Sequence, residues 1–346
     1  MRHSNNYPRR RFLASMGALP LMTTFPITGH TQEKPIPIRV GIQAQTSWLL
    51  YAAQKLKLLE EAGLDPTFVK LTTGAQAIAA MASGNIDMAS PGITPVVAGL
   101  AQGVEWTVIG MDTTLDFAEG FVAHPDSGIE NLEDFKGKTI GVARGSTSYY
   151  GLLAALETRG ISKDDINLLL LGPAEQVGAM ANGDVDGIAV WEPWIQRQIQ
   201  DNGAVLVGME GDYGVHTGCA TYAVNNPFAT ENPEAVDRFL TGLLFAYDSI
   251  KEDGPGVAID AVADAMGVSR EIAEIMYDEA PVPEIVKWAD PNYQYSVAPG
   301  GLFHVAAQEM ADFLYKENIV NSEVDLSTAF DSKPIARVLK ANGRIE

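Results

Sequence analysis

Hydroxyl side chains stand directly before two of the helices that the sequence predicts. The segment "GSTSYYGLLAALE" carries Ser146, Thr147 and Ser148 before a helical pattern, and "PGITPVVAGL" repeats the arrangement with Gly92 and Thr94. The first turn of a helix has backbone N–H groups without partners, and its dipole favours negative charge. Helix capping by Ser146 or Thr94 explains either loop taken alone. Two loops at equivalent positions favour an anion pocket shared between them.

Two of the chain's five tryptophans surround a carboxylate and a proline in "VWEPW", Val190 to Trp194. The motif follows an apolar run, as at the end of a buried strand. We expect Trp191 and Glu192 to face a cleft and Trp194 to pack on the following helix. A second hypothesis is an aromatic cage for a quaternary amine, because such cations bind over ring faces. Its members would be Trp48, Tyr149, Trp191, Trp194 and Tyr222.

The patterns of catalytic and nucleotide-binding sites are missing from the sequence. Neither G-x-x-x-x-G-K-[ST] nor a strand-borne G-x-G-x-x-G occurs. The histidines at positions 3, 30, 124, 216 and 304 are scattered. His216 is close in sequence to the only cysteine, Cys219, but no orienting motif accompanies the pair. The sequence therefore predicts a binding protein rather than an enzyme, with no cofactor and no metal.

The elements that carry these loops are repeated. "IRVGIQAQTSWLLYAAQKLKLLEEAGL" indicates a strand, a polar loop and a helix, and "KTIGVARGSTSYYGLLAALETRGI" repeats it, with Gly41 matched by Gly141. A second unit beginning at Gly74 is matched by one beginning at Ala174. In this unit Asp87 corresponds to Asp186, and both are interpreted as caps at the entry to a strand. The matched register predicts an α/β protein of two homologous lobes, each a small sheet flanked by helices.

Such sheets bind ligands outside the carboxyl ends of their strands. Here those ends are the loops 43–47, 90–94, 144–148 and 191–194. Extended segments that end in His-Pro-Asp and Asn-Asn-Pro are predicted to be two crossings between the lobes, which act as a hinge. We expect 36–123 to form the first part of lobe 1, 124–217 to form lobe 2, and 218–346 to return to lobe 1 with C-terminal helices.

Residues 1–32 are predicted to be an export signal. The segment begins with basic residues, contains "RRRFL" from Arg9 to Leu13, and continues in a mildly apolar run that is too weak to span a membrane. The paired arginines favour the twin-arginine type. No cysteine stands directly after the signal, so we expect a soluble periplasmic protein without a lipid anchor. The formal net charge of −20 disfavours nucleic acid as a partner.

The strings "VGIQ", "TGAQAIAAMASGNIDMASPGITPVVAG", "ENLEDFKGKTIGVARGSTSYYGLLAAL" and "VDGIAVWEPW", in this order, resemble the periplasmic substrate-binding proteins of taurine, aliphatic sulfonate and nitrate ABC transporters. The taurine-binding branch is the most similar. The resemblance implies the two-lobed periplasmic-binding-protein fold of type II, which closes over its ligand by a hinge. It also implies a small sulfonate, most of all taurine, as ligand, and an inner-membrane permease with its ATPase as partners. Nitrate, another alkanesulfonate and a quaternary amine stay open as alternatives.

The resemblance also implies a set of pocket residues. They are Gln43, Thr46, Gly92, Thr94, Ser146, Thr147, Ser148, Trp191 and Glu192. The ammonium group of taurine would need a carboxylate, for which Glu192, Asp116 and Glu119 are the candidates. The strand "GCATYAV" of the second crossing lacks the acidic residue found in taurine-binding proteins, which bears on taurine more than on sulfonates in general.

Overall fold

The computed structural model describes residues 34–43, 47–216, 218–280 and 282–346. The export signal expected at 1–32 and the site residue Thr46 lie outside the described residues. Within the described part the strands are β1 Ile36–Gln43, β2 Leu64–Leu71, β3 Met88–Ser90, β4 Trp106–Thr114, β5 Glu119–Ala123, β6 Thr139–Val142, β7 Asn167–Leu170, β8 Gly187–Trp191, β9 Val205–Met209 and β10 Cys219–Asn225.

The helices alternate with the strands in the first two thirds of the chain and then follow one another. Their bounds are α1 Trp48–Leu56, α2 Leu58–Glu61, α3 Gly74–Ala82, α4 Ile93–Ala101, α5 Thr147–Thr158, α6 Pro173–Asn182, α7 Trp194–Asn202, α8 Asn226–Glu231, α9 Pro233–Asp253, α10 Gly256–Met266, α11 Arg270–Glu279, α12 Leu302–Lys316 and α13 Lys333–Ala341. None of the helices among the described residues is long and apolar enough to cross a membrane.

Two five-stranded mixed sheets have the same topology. The first has the order β2-β1-β3-β10-β4 and the second the order β7-β6-β8-β5-β9. In each sheet the first three strands are parallel, the fourth is antiparallel to the third, and the fifth is antiparallel to the fourth. The matching orders confirm the predicted fold class of two repeated α/β lobes. We call the lobe around the first sheet lobe 1 and that around the second sheet lobe 2.

The fourth strand of each sheet comes from outside the repeat. β10 joins the first sheet after the chain has completed the second, and β5 joins the second sheet before its three parallel strands. The sequence assigned 119–123 to the end of lobe 1. That assignment is wrong, because β5 pairs with β8 and β9, and the first crossing is therefore at 115–118. The other predicted bounds, at 36, 217 and 218, stay predictions.

In each repeat an equivalent aspartate forms a hydrogen bond to the backbone of a neighbouring strand. Asp87 Oδ2 accepts a hydrogen bond from the backbone N–H of Arg39 at 2.7 Å, and Asp186 Oδ2 accepts one from the N–H of Thr139 at 2.8 Å. These bonds confirm that both residues cap strand backbone. Each follows a helix that is stopped by a left-handed glycine, Gly84 at φ +66° or Gly183 at φ +71°. Glycine adopts this conformation without a steric penalty.

The C-terminal third packs on the first sheet and enlarges its core. One continuous apolar cluster contains side chains of β1, α1, β4 and β10 together with side chains of α9 to α13, such as Phe239, and Trp288 from the segment between α11 and α12. Pro233 lies in the first turn of α9, where its missing N–H costs nothing. The second sheet carries a smaller apolar cluster on each face, because alternate residues such as Phe121 and Val122 point to opposite sides.

Candidate ligand-binding cleft

The two repeats together contain six loops, and each loop joins the carboxyl end of a strand to the next helix. Residues at all six strand ends line one cavity of about 200 Å³. This volume suits a ligand much smaller than a drug-sized molecule. Its lining is Gln43, Thr73, Gly74, Ala75, Gly92, Pro95, Ala143, Arg144, Gly145, Ser146, Thr147, Leu170, Leu171, Gly172 and Trp191.

Five of the residues expected from the sequence lie in this lining: Gln43, Gly92, Ser146, Thr147 and Trp191. Thr94 does not, because its hydroxyl is fully buried and bonds to Met310 Sδ at 3.2 Å. The N-cap of α4 is Gly92, not Thr94. Ser148 is also fully buried and outside the lining.

The starts of four helices, α3, α4, α5 and α6, contribute to the lining. Thr73 caps α3 by accepting a bond from Gln76 N, and Ser146 caps α5 by accepting one from Tyr149 N at 3.0 Å. Ser146 also donates its hydroxyl hydrogen to Ala143 O at 2.8 Å. Its hydroxyl hydrogen is therefore already engaged, and a ligand would meet the positive ends of the helix dipoles and their unpaired N–H groups.

Arg144 is the cation of the cleft. Its side chain is exposed on the cavity and forms no ion pair or hydrogen bond with any of the described residues. A guanidinium group offers planar pairs of donors that match an oxyanion. Arg144 lies in the predicted loop 144–148 but was not among the predicted site residues. The loops after β2 and β7 were not predicted as parts of the site either, although the repeat of the units beginning at Gly74 and Ala174 indicated both.

The predicted carboxylates do not line the cavity. Glu192 is buried and accepts a bond from Gln196 Nε2 at 3.1 Å, and Asp116 pairs with His216 Nδ1 at 2.8 Å. Burial raises the pKa of Glu192 to about 7, although the side chain and backbone of Gln196 oppose the rise. The expectation that Glu192 faces the cleft is therefore not met, since its acceptor groups are directed to α7.

Glu119 is also buried, and it contacts a residue of the lining. It accepts the hydroxyl hydrogen of Thr147, whose side chain belongs to the cavity wall. Burial raises the pKa of Glu119 to about 8, the charge of Asp116 adds to the rise, and the hydroxyls of Thr147 and Ser148 oppose it.

Lobe 1 contains a comparable buried carboxylate. Asp112 on β4 accepts hydrogen bonds from Ser47 Oγ at 2.5 Å, from Tyr222 Oη at 2.6 Å and from Ser90 Oγ. Ser47 precedes α1 and Ser90 ends β3, so the carboxylate ties together two loops of the cleft edge. Burial raises the pKa of Asp112 to about 6, against the effect of the three hydroxyls.

The five aromatic residues of the cage hypothesis are not brought together. Trp48 is fully buried and stacks edge-on against Tyr277, and its indole N–H donates to Ala280 O. Tyr222 is buried on Asp112, and the ring of Trp194 lies under the guanidinium of Arg197. Of the five, Trp191 alone belongs to the cavity lining. A quaternary-amine cage is therefore wrong for this cleft.

The two lobes contact each other around the cavity. A β-carbon added at Gly92 of lobe 1 would lie 3.3 Å from Thr147 Oγ1 of lobe 2. On one side Lys163 pairs with Glu317 at 2.5 Å, and Tyr150 stacks edge-on against Phe313. On another side Arg197 of α7 donates to Met266 O, at the end of α10. The lobes therefore approach closely enough to enclose a small ligand between them.

Comparison with known proteins agrees with this architecture. The family model described as "NMT1/THI5 like" matches residues 45–254. The chain belongs to the NMT1/THI5-like family. It is 29% identical over 316 residues to the "Putative aliphatic sulfonates-binding protein" of Bacillus subtilis (strain 168), covering 90% of each chain. It is 30% identical over 210 residues to the taurine-binding periplasmic protein of Escherichia coli (strain K12), covering 60% of this chain and 64% of the relative.

A solved structure of similar fold is the alkanesulfonate-binding protein SsuA from Xanthomonas axonopodis pv. citri bound to MOPS. It superposes with a TM-score of 0.72 at 26% identity and covers 86% of this chain and 98% of that one. The recognised resemblance to periplasmic substrate-binding proteins is thereby confirmed. The two relatives and SsuA are all named as binding proteins.

In this family member, the cysteine is unsuited to nucleophilic chemistry. Cys219 begins β10 and is fully buried, and burial raises the pKa of its thiol well above the usual value. The thiolate is the reactive form of cysteine. His216 bonds to Asp116 through Nδ1 and makes no hydrogen bond to Cys219 among the described residues.

Proposed function

We propose that this protein is the periplasmic substrate-binding component of an ABC importer and that it binds a small sulfonate, with taurine among the candidates, in the cleft between its lobes. The observation that carries the proposal is the guanidinium of Arg144, which pairs with none of the described residues and shares a cavity of about 200 Å³ with the starts of α3, α4, α5 and α6. In a chain of net charge −20 this combination selects an anion for the cleft.

Different residues of the cleft would contact different parts of the ligand. Arg144 supplies charge and a pair of donors, and backbone N–H groups at the helix starts supply further donors to sulfonate oxygens. Trp191 supplies an apolar wall for the carbon chain of the ligand. The volume of about 200 Å³ accommodates a short-chain sulfonate.

Taurine differs from other small sulfonates by its ammonium group, which needs an acceptor. Gln43 is buried on the cavity, and its Oε1 accepts no hydrogen bond from the described residues. Gln43 is therefore our candidate for contacting an ammonium or hydroxyl group of the ligand. Of the three carboxylates considered from the sequence, Glu119 is the one bonded to a residue of the lining.

The remaining parts of the proposal concern location and partners. We propose that 1–32 direct export by the twin-arginine route and that the mature protein delivers its ligand to an inner-membrane permease and its ATPase. The names of the relatives support a periplasmic binding role. We propose that the ligand is released unchanged, and the names of the relatives as binding proteins support this.

The test is isothermal titration calorimetry on the purified protein in a buffer without a sulfonate group. The ligands are taurine, ethanesulfonate, MOPS, nitrate and sulfate. We expect saturable heat with a sulfonate, and we expect Arg144→Gln to weaken it about 10- to 100-fold, because a hydrogen bond to a charged group contributes roughly 1.5–3 kcal/mol.

The matched control is Lys136→Gln, which removes an exposed cation of the same lobe outside the cavity lining and should leave the affinity unchanged. Absence of heat with all three sulfonates would contradict the proposal. Strong binding of nitrate alone would keep the anion site and reject the sulfonate. An unchanged affinity in Arg144→Gln would show that the anion is held elsewhere.

A further inference from the structure

The single hydroxyl hydrogen of Thr147 can be donated either to Glu119 or to a ligand in the cavity. Its side chain lines the cavity, and its hydroxyl donates to Glu119 Oε1. A hydroxyl has a single hydrogen to donate and two lone pairs with which to accept. While Glu119 is ionised, Thr147 can therefore offer only an acceptor to a ligand. This polarity is unfavourable for a sulfonate oxygen, which also accepts.

Glu119 is enclosed at the first position of β5 and is only 2% exposed. Its Oε2 accepts no hydrogen bond from the described residues. β5 is packed against β8, β9, α5, α7 and the turn at 210–213. The charged or titratable groups on or beside these elements are the acids Asp116 with its partner His216, Glu157, Glu192, Asp201, Glu210 and Asp212, the tyrosines Tyr149, Tyr150 and Tyr213, and the cations Arg144, Arg159 and Arg197.

The three arginines among these groups are engaged or directed elsewhere. Arg197 donates to Met266 O, Arg159 pairs with Glu133, and Arg144 lies exposed on the cavity. Asp116, Glu192 and Glu210 are acids, and a negative charge on them disfavours a charge on Glu119. The surroundings of Glu119 therefore favour its neutral form, in which the carboxyl group has a hydrogen of its own.

We propose that Glu119 is a positioning residue that determines ligand specificity. Its protonation state decides whether the Thr147 hydroxyl donates a hydrogen bond to the ligand or accepts one from it. With Glu119 neutral, its O–H donates to Thr147 Oγ1, and the Thr147 hydrogen turns to an oxyanion of the ligand. With Glu119 ionised, Thr147 accepts from a ligand donor such as an ammonium group. The inference rests on the proposed sulfonate-binding function, and it adds that binding of the anion depends on the protonation of Glu119.

The proton balance determines the direction of the pH effect. Binding of an oxyanion at Thr147 when Glu119 is ionised takes up one proton from solvent, which stays on the carboxyl group. Because burial raises the pKa of Glu119 to about 8, the residue is already neutral well below that pH. Affinity for the anion is then constant, and it falls by up to about tenfold per pH unit above about pH 8.

Ethanesulfonate is the probe, because it carries a sulfonate that stays ionised throughout this range and has no ammonium group. Calorimetric titrations from about pH 6 to about pH 9.5, in two sulfonate-free buffers with different enthalpies of ionisation, measure both the affinity and the protons taken up. We expect a plateau below about pH 7, a decline above about pH 8, and proton uptake that accompanies the decline.

Glu119→Gln is the decisive variant, because the amide is neutral at every pH and can donate to Thr147 Oγ1. Its affinity for ethanesulfonate should be flat across the range and should exceed that of the wild type about tenfold near pH 9. Thr147→Val should bind more weakly and without proton uptake. Glu130→Gln makes the same change at an exposed glutamate of lobe 2 and should keep the wild-type profile.

Each outcome separates the two proposals. A wild-type affinity that is flat to about pH 9.5, or a decline that persists in both Glu119→Gln and Thr147→Val, overturns the polarity switch and leaves the sulfonate-binding function intact. Failure of ethanesulfonate, taurine and MOPS to bind at any pH overturns both. If Glu119→Gln does not fold, as judged by circular dichroism, the loss of proton uptake in Thr147→Val decides the question.

Discussion

Asp112 allows a prediction whose size follows from the structure. The carboxylate is fully buried, and burial raises its pKa to about 6 although three hydroxyls donate to it. Aspartate in an unfolded chain titrates near 3.9. The folded protein therefore holds the proton more tightly than the unfolded chain does. The stability contributed by protonated Asp112 is complete below about pH 4 and is lost as the pH rises through about 6.

The magnitude follows from the two pKa values. Their difference corresponds to about 3 kcal/mol between the fully protonated and fully ionised limits, and to roughly 2 kcal/mol between pH 4 and pH 8. Asp112→Asn is neutral at both pH values and loses this dependence. Its amide also changes the bonds with Ser47, Ser90 and Tyr222, but that cost is the same at both pH values.

The assay is urea unfolding of wild type and variant at about pH 4 and about pH 8. The difference in unfolding free energy, variant minus wild type, should be more positive at the higher pH by roughly 2 kcal/mol. Asp126→Asn, at an exposed aspartate, should show a pH-dependent difference near zero. A value for Asp112→Asn below about 0.5 kcal/mol, or of opposite sign, would refute the argument that burial outweighs the three hydroxyls at this site.

Two further predictions concern glycines at close contacts. In Gly92→Ala the new methyl group would press on Thr147 across the cleft, 3.2 Å from its Cγ2, so we expect sulfonate affinity to fall about 10- to 100-fold in calorimetry with little change in melting temperature. Unaltered affinity would mean that the lobes close differently around ligand. In Gly151→Ala the β-carbon would lie 2.0 Å from Glu210 Oε1, which is buried, so thermal unfolding should reveal a loss of roughly 1–3 kcal/mol. A melting temperature equal to that of the wild type would show that Glu210 moves aside freely.

Much of the cleft was predictable because its determinants are local and repeated. Strand, loop and helix patterns depend on neighbouring residues, and the match of Gly41 with Gly141 and of Asp87 with Asp186 revealed two copies of one unit. Once the copies are recognised, the edge that binds ligand follows from the direction of the strands. The same local logic predicted that both aspartates cap strands.

Residue type alone gave wrong predictions where the position of a side chain depended on residues that are distant in sequence. The aromatic cage assumed that tryptophans near strand ends face a cleft, yet Trp48 donates to Ala280 O from the core of lobe 1. Glu192 was expected in the cleft because it adjoins Trp191, but its carboxylate bonds to Gln196. An indole or a carboxylate is compatible with either environment, and only the packing of the surrounding elements selects one.

The sequence by itself determined the repeated α/β units, the helix starts that favour an anion, and the strand ends on which the site is built, because each depends on residues that are close along the chain. Tertiary structure alone decided that β5 belongs to the second sheet, since strand pairing joins distant segments whose local pattern suits either sheet. It also decided that Thr147 meets Glu119 and that Arg144 lies on the cavity without an ion-pair partner among the described residues. Hydrogen-bond partners and ion pairs depend on positions in space, which spacing along the chain does not specify.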